Sequence, residues 1–213
     1  MKAFEWKDIY CEVVKVGILG TNCYIIYNKN TKKGCVVDPG GEVDKIMAFI
    51  NSNDIELETI YLTHGHFDHI LVADVLKEKT GADIAVFEED AQLMESKDTN
   101  CGYMMSLDTS VRADRKLCDR EKVSFAGCQA VVINTPGHTK GSCCYYLEDA
   151  KVLFSGDTLF FESYGRTDLP SGSMSDMVRS LKEILFELPK DVTAYPGHGA
   201  FTSIGYEKEN MEI

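Results

Sequence analysis

Three of the chain's five histidines lie in one six-residue run, His64-Gly65-His66-Phe67-Asp68-His69, which begins where an apolar, strand-like segment (residues 59–63) ends. Any fold for this chain must therefore end a buried strand at a turn crowded with imidazole and carboxylate groups, and loops at strand ends are where ligands usually come from. Two residues apart, His64 and His66 can point into one cavity, while the turn into the following helix can aim Asp68 and His69 at a second point. The other two histidines have similar settings: His138 in Thr135-Pro136-Gly137-His138-Thr139 and His198 in Tyr195-Pro196-Gly197-His198-Gly199, each in a Pro-Gly turn after a predicted strand. Asp157, in Phe154-Ser155-Gly156-Asp157-Thr158, closes another apolar strand and adds a carboxylate that could lie between two cations. A lone His in a turn is usually a hydrogen-bonded surface residue, and a lone Asp there a helix cap. Here neither is alone. Imidazole combined with carboxylate suits Zn2+, Fe or Mn, whereas Ca2+ and Mg2+ call for oxygen ligands throughout. The spacing accommodates two metals.

The remaining chain reads as strands interleaved with helices. Runs at 9–16, 23–27 and 34–37 each end in Gly or Asn, as in an antiparallel meander. Val43, Ile46, Met47 and Ile50 recur at helical spacing. A second helix is expected from Asp68, as its cap, through the stripe Leu71, Val72, Val75 and Leu76 to a stop at Gly81. Residues 84–87 read as a strand, but 88–118 mix polar residues, Met and Gly with little periodicity. Strands are expected at 122–126, 129–134, 142–147 and 151–155, then a helix over 173–188 stopped by Pro189, then a strand at 192–195. No linker, repeat or block of like charge marks a boundary, so residues 1–213 are expected to form one domain. Strands in both halves, each half with its own helices, predict an α/β architecture of two sheets face to face with helices outside.

Composition narrows the partners. With 22 Lys and Arg against 34 Asp and Glu, the net charge of −12 repels phosphate backbones and anionic lipid, so neither nucleic acid nor a membrane surface is expected. No apolar window approaches the ~20 residues of a membrane helix, and the first residues have no signal-peptide core, so a cytoplasmic location is expected. Eight cysteines without a C-x-x-C pair are expected to be reduced and mostly buried; the adjacent Cys143 and Cys144 are where thiol chemistry would sit.

Together these motifs resemble those of metallo-β-lactamase-superfamily hydrolases, specifically the small glyoxalase II-like branch. Thr63-His64-Gly65-His66-Phe67-Asp68-His69, Gly137-His138-Thr139, Gly156-Asp157-Thr158-Leu159-Phe160, Gly165-Arg166-Thr167-Asp168 and Pro196-Gly197-His198-Gly199 follow the family order across most of the chain. The resemblance implies an αββα sandwich of two mixed β-sheets with helices on the outer faces. It assigns His64, His66 and His138 to one metal and Asp68, His69 and His198 to another, with Asp157 bridging. Two divalent ions are implied, zinc first, with iron and manganese able to use the same ligands. Arg166 stands where glyoxalase II-like proteins often carry a basic residue near the substrate; it could grip a substrate carboxylate or pair with Asp168. Tyr164, Phe160 and Phe161 could line the pocket or belong to the core.

Two neighbouring cations lower the pKa of a shared water toward ~7, supplying hydroxide without a dedicated base, and they polarise the attacked carbonyl. The expected reaction is hydrolysis of a small-molecule thioester or similarly activated acyl compound, with Asp68 as a catalytic residue that both ligates and orients the nucleophile. Glutathione is a less certain carrier, because full-length glyoxalase II enzymes bind it with a C-terminal helical region and only fifteen residues follow His198 here. True β-lactamases resemble the chain less, since many carry Cys at the Asp157 position. Diiron flavoproteins of the superfamily commonly replace the second motif His by Glu, and its RNA-processing members need basic surfaces. The alternative activity is a persulfide dioxygenase, which shares Gly165-Arg166-Thr167-Asp168 and uses one iron at the His64, His138 and Asp157 equivalents. A third class, a metal-stabilised binding protein without turnover, predicts a closed site with no solvent-filled pocket.

Overall fold

The expected three-strand meander is present, and an unforeseen strand, Lys2–Trp6, is added at its start. In the computed structural model, which describes Met1–Ile213, β1 (Lys2–Trp6), β2 (Ile9–Val16), β3 (Thr21–Asn28) and β4 (Lys33–Val37) pair antiparallel in sequence order. Beyond β4 the pairing is parallel, through β5 (Glu56–Tyr61), β6 (Asp83–Phe87) and β7 (Arg115–Leu117). Parallel neighbours need long crossovers, which the helices α1 (Val43–Ser52), α2 (Phe67–Ile70) and α3 (Ala73–Thr80) supply for the first two pairs. A second mixed sheet follows: β8 (Lys122–Phe125), β9 (Cys128–Asn134), β10 (Cys143–Leu147) and β11 (Val152–Gly156) run antiparallel. After the hairpin β12 (Leu159–Phe160) and β13 (Ser163–Tyr164), and the helix α4 (Met174–Arg179), β14 (Thr193–Pro196) joins β11 in parallel. The edge strand β15 (Thr202–Ser203) and the helix α5 (Ile204–Asn210) complete it.

Three apolar clusters hold the layers. Ile9, Tyr24 and Tyr61 from the first sheet meet Phe125, Tyr145 and Phe154 from the second in a 22-residue core between them. Ile46, Ile50 and Leu76 of α1 and α3 cover the outer face of the first sheet against Ile25 and Ile60, while Met177, Leu181 and Leu185 cover the second against Ile133 and Leu153. Strand β3 shows the consequence: Thr21 through Tyr27 are all buried, because even and odd positions enter different cores. The αββα sandwich is therefore the fold.

Strand direction positions the site. Both β9 and β11 are antiparallel to β10, so they run the same way, and β14 is parallel to β11. The turns after these strands, carrying His138, Asp157 and His198, share one edge of the second sheet. In the first sheet the parallel pair β4 and β5 brings Asp38 and His64 to one edge. The two edges are tied by Cys143 N–H to the Thr63 carbonyl at 2.9 Å and Asn22 N–H to the Gly197 carbonyl at 2.7 Å.

Several local expectations change. The helix expected from 68 to 81 is two helices, α2 and α3, because Val72 N–H donates to the Pro39 carbonyl at 3.1 Å between them. Asp68 lies within α2 and does not cap it; its carboxylate accepts the Thr21 hydroxyl instead. The helix expected over 173–188 is α-helical only to Arg179, then widens over Ser180–Ile184 and tightens over Leu185–Glu187. The buried Ser180 hydroxyl, donating to the Pro136 carbonyl at 2.7 Å, anchors the widened turn to the His138 loop. Residues 88–118 hold short turns organised by Asn100, whose amide donates to the Met94 and Thr109 carbonyls at 3.3 and 2.8 Å. No helix is long and apolar enough to cross a membrane.

Candidate metal centre

Asp38 organises the first histidine run. Just past β4, with φ of 52°, its buried carboxylate accepts Thr63 N–H at 2.8 Å, the Thr63 hydroxyl at 2.7 Å and His69 Nδ1–H at 2.9 Å. Because the Thr63 hydroxyl proton is committed to Asp38, Thr63 Oγ1 accepts His64 Nδ1–H at 3.1 Å. With Nδ1 of each ring committed in this way, Nε2 is the atom each has left for an ion. His138 is oriented from the other sheet: its Nδ1–H donates to the Arg166 carbonyl at 2.7 Å, and its Nε2 lies 2.8 Å from His66 Nδ1. The Thr21 hydroxyl donates to Asp68 Oδ2 at 3.0 Å.

Three donor groups result, His64-His66-His138, Asp68-His69-His198 and His64-His69-Asp157, each with its ligand atoms within 4.8 Å of one another. Asp157 stands between the first two, with Oδ1 3.4 Å from His69 Nε2 and Oδ2 3.6 Å from His138 Nε2 and 3.7 Å from His198 Nε2. His198 Nε2 is 3.1 Å from Asp68 Oδ2. All seven residues singled out from the sequence thus meet in one place. Gly197 makes room for them: a Cβ there would stand 2.2 Å from Asp157 Oδ1 and 2.7 Å from His69 Cε1.

The arrangement fits a cation. His64 Nε2, His66 Nε2 and Asp157 Oδ1 are buried without a hydrogen-bond partner. His69 Nε2 faces Asp68 Oδ2 and Asp157 Oδ1, both at 3.4 Å, so two carboxylates crowd one ring nitrogen. Acceptors gathered in this way repel one another unless positive charge lies among them. Burial pushes His64 and His66 well below the usual imidazole range, so both are neutral and ready to ligate. Burial acts in the same direction on His69, but the carboxylates of Asp68, Asp157 and Asp38 outweigh it and hold its pKa well above that range. Burial would raise Asp68, but His69 and His198 overcome it and keep the carboxyl ionised.

A cavity of about 240 Å3 opens over these donors, walled further by Leu19, Phe67, Met104, Met105, Leu169 and Arg166. The Arg166 guanidinium is held by Asp168 through two hydrogen bonds of 2.6 and 2.7 Å. Phe160 meets the His198 ring edge-on at 6.1 Å, Tyr164 packs on the core behind the second sheet, and Phe161 stacks on Tyr206; the cavity wall includes none of the three. Cys143 and Cys144 are packing residues: burial pushes both thiols up, Cys144 to about 12.

Sequence reasoning missed Asp38, Thr21 and Asp90. Asp38-Pro39-Gly40 closes β4 just as Asp157 closes β11, a readable signal. Asp90, fully buried, accepts Gly65 N–H at 2.8 Å, the Thr139 hydroxyl at 2.7 Å and Gly141 N–H at 2.8 Å, which straps the His64–His66 loop to the His138 loop. It lies in the aperiodic stretch, where nothing marked it.

With this geometry, residues 16–198 match the metallo-beta-lactamase superfamily, and the chain belongs to that family of metal-binding hydrolases. Among named relatives, it is 32% identical over 202 residues to hydroxyacylglutathione hydrolase GloC of Haemophilus influenzae, covering 93% of this chain and 95% of that protein. It is also 32% identical over 189 residues to a probable polyketide biosynthesis zinc-dependent hydrolase, BaeB, of Bacillus velezensis, covering 89% and 77%. Solved structures with the same fold include BLEG-1 B3 metallo-beta-lactamase, with a TM-score of 0.88 and 30% identity over 93% of this chain and 96% of that one. TTHA1623 in a di-iron-bound form gives 0.83 and 30% over 94% and 98%. ETHE1 from Myxococcus xanthus gives 0.78 and 28% over 94% and 82%.

Proposed function

We propose that this chain is a binuclear metal-dependent hydrolase of thioesters or similarly activated small acyl compounds. His64, His66 and His138 hold one divalent ion, Asp68, His69 and His198 the other, and Asp157 serves both. Zinc is the first choice for both ions, with iron and manganese as the other candidates. The observation that carries this reading is the double donor set on the floor of an open cavity of about 240 Å3, since an accessible position beside a complete ligand set marks catalysis rather than structure. The names of GloC and BaeB, a hydroxyacylglutathione hydrolase and a zinc-dependent hydrolase, support it.

When bound, such ions lower the pKa of water and polarise a carbonyl, which is the chemistry a thioester requires. The protein's own groups orient the reaction. Asp68, kept ionised and steadied by the Thr21 hydroxyl, offers its carboxylate to the attacking water. Phe67, Met104 and Met105 give the cavity apolar walls against which an acyl group can lie. Arg166, paired with Asp168, shapes the wall and orients His138 through its carbonyl. The eight unpaired cysteines support a reducing compartment, the cytoplasm.

Elemental analysis of the purified chain, paired with a thioester panel assayed with and without oxygen, tests the reading. Two metals per chain and oxygen-independent cleavage uphold it; β-lactam cleavage without thioester cleavage sinks it. The second reading, a persulfide dioxygenase, draws on the likeness to ETHE1 and expects one iron with thiol-dependent oxygen uptake. The Asp68-His69-His198 group favours the hydrolase, because a single-iron enzyme leaves it without a task.

A further inference from the structure

Four of the chain's ten exposed large hydrophobic side chains, Ile18, Leu19, Met104 and Met105, wall the metal cavity or the hollow beside it, a concentration that calls for an apolar partner. They come from two separate loops. Ile18 and Leu19 form the tip of the turn between β2 and β3, set by positive φ at Gly17 and Gly20 and held by Gly17 N–H donating to Glu42 at 2.5 Å. Turn tips ordinarily carry polar residues. Met104 and Met105 belong to the short Gly102–Met105 turn.

The neighbouring hollow, about 260 Å3, shares Phe67, Asp68 and Met105 with the metal cavity and continues past Ile18 to Leu71 and Leu107. The two adjoin across these three side chains, so apolar walls lie both over the donors and just beyond them. Among the residues walling either part, Arg166 is the one Lys or Arg, and Asp168 already neutralises its guanidinium. A carboxylate at the far end of an acyl chain, away from the donors, would find no free basic side chain among these walls. The patch is concave and leads to the donors, and a net charge of −12 opposes both anionic lipid and a second copy.

We propose that the two hollows together serve as one acyl-chain trough: the thioesters this chain takes carry an uncharged acyl chain of several carbons, lying over Phe67 and Met105 toward Leu71 and Leu107, with Ile18 flanking it. The assignment rests on the thioester hydrolase reading above. The thioether side chains of Met104 and Met105 adapt to chains of different length.

The test uses the metal-loaded full chain and thioesters of one neutral thiol, N-acetylcysteamine, from acetyl to octanoyl, with succinyl beside butanoyl. The expected kcat/KM rises about threefold per added methylene over the first several carbons, as burying each CH2 predicts, and succinyl falls about tenfold or more below butanoyl. In Ile18→Asp, a change at an exposed turn tip, the octanoyl-to-acetyl ratio falls about tenfold. Cleavage of every thioester with a flat chain-length profile overturns the acyl site and leaves the hydrolase reading standing. A second measurement keeps the two apart: calorimetric binding of the uncleavable S-octyl and S-ethyl thioethers of the same thiol. Chain-dependent binding without any thioester cleavage upholds the trough and overturns the hydrolase reading. A dimer in sedimentation that Ile18→Asp dissociates gives the patch to a second copy and overturns the proposal.

Discussion

The His64-His66-His138 group and the Asp68-His69-His198 group meet at Asp157 but are built on opposite electrostatic terms. The first is three imidazoles, 1%, 3% and 4% exposed, and burial drives protons off His64 and His66. The second sets His69 among Asp38, Asp68 and Asp157, which draw positive charge onto it, and its His198 side chain is 25% exposed. The first set leaves buried nitrogens neutral and unpartnered, whereas carboxylates crowded around one imidazole hold positive charge among them, as a proton on His69 or as an ion. The first group is thus a rigid cradle, and the second depends on what it holds.

The largest expected effect is therefore from chelation. Removing all metal should reduce turnover to background and lower the thermal midpoint by about 5 °C or more, measured by scanning calorimetry; an unchanged midpoint would break the electrostatic contrast. Next, Asp157→Ala should deplete both ions and cut turnover by about a hundredfold or more, while His198→Ala leaves close to one ion per chain by elemental analysis. Loss of both ions in His198→Ala would mean that the groups are not separate. Asp38→Asn comes third. It touches His69 directly and His64 only through Thr63, so metal affinity in competition titrations should drop about 10–100-fold, more at the second group. Smallest is Asp90→Asn, which places an NH2 against donors that strap the first group alone. Chemical denaturation should register a loss of about 1–3 kcal/mol, with the second ion's affinity unchanged.

Legibility in the sequence followed the range of the interactions concerned. The donors could be read because each follows an apolar strand directly and their side-chain chemistry is shared. The stripe of Leu71, Val72, Val75 and Leu76 marked a helix only in part: Leu71 and Val72 sit at a break that depends on Pro39, a residue from another loop, and Val75 is exposed. Asp68 looked like a cap because no local signal distinguishes a carboxylate that bonds its own helix from one that bonds Thr21. Residues 88–114 were opaque because side-chain bonds from Asn100 hold short turns there in place of periodic ladders, and so Asp90, Met104 and Met105 went unseen, as did the three-residue strand β7 that follows. Arg166 allowed two roles, and its pairing with Asp168 depends on how one short loop closes.

From residue order alone came most of the longer strands, the turns that end them and the ligand chemistry at those turns, since alternation and Pro-Gly punctuation act over a few neighbours. Which donors stand together was decided only in three dimensions. His66 and His138 stand 72 positions apart and come within 2.8 Å because β9, β11 and β14 run toward one edge and the core between the sheets presses that edge against the end of β5.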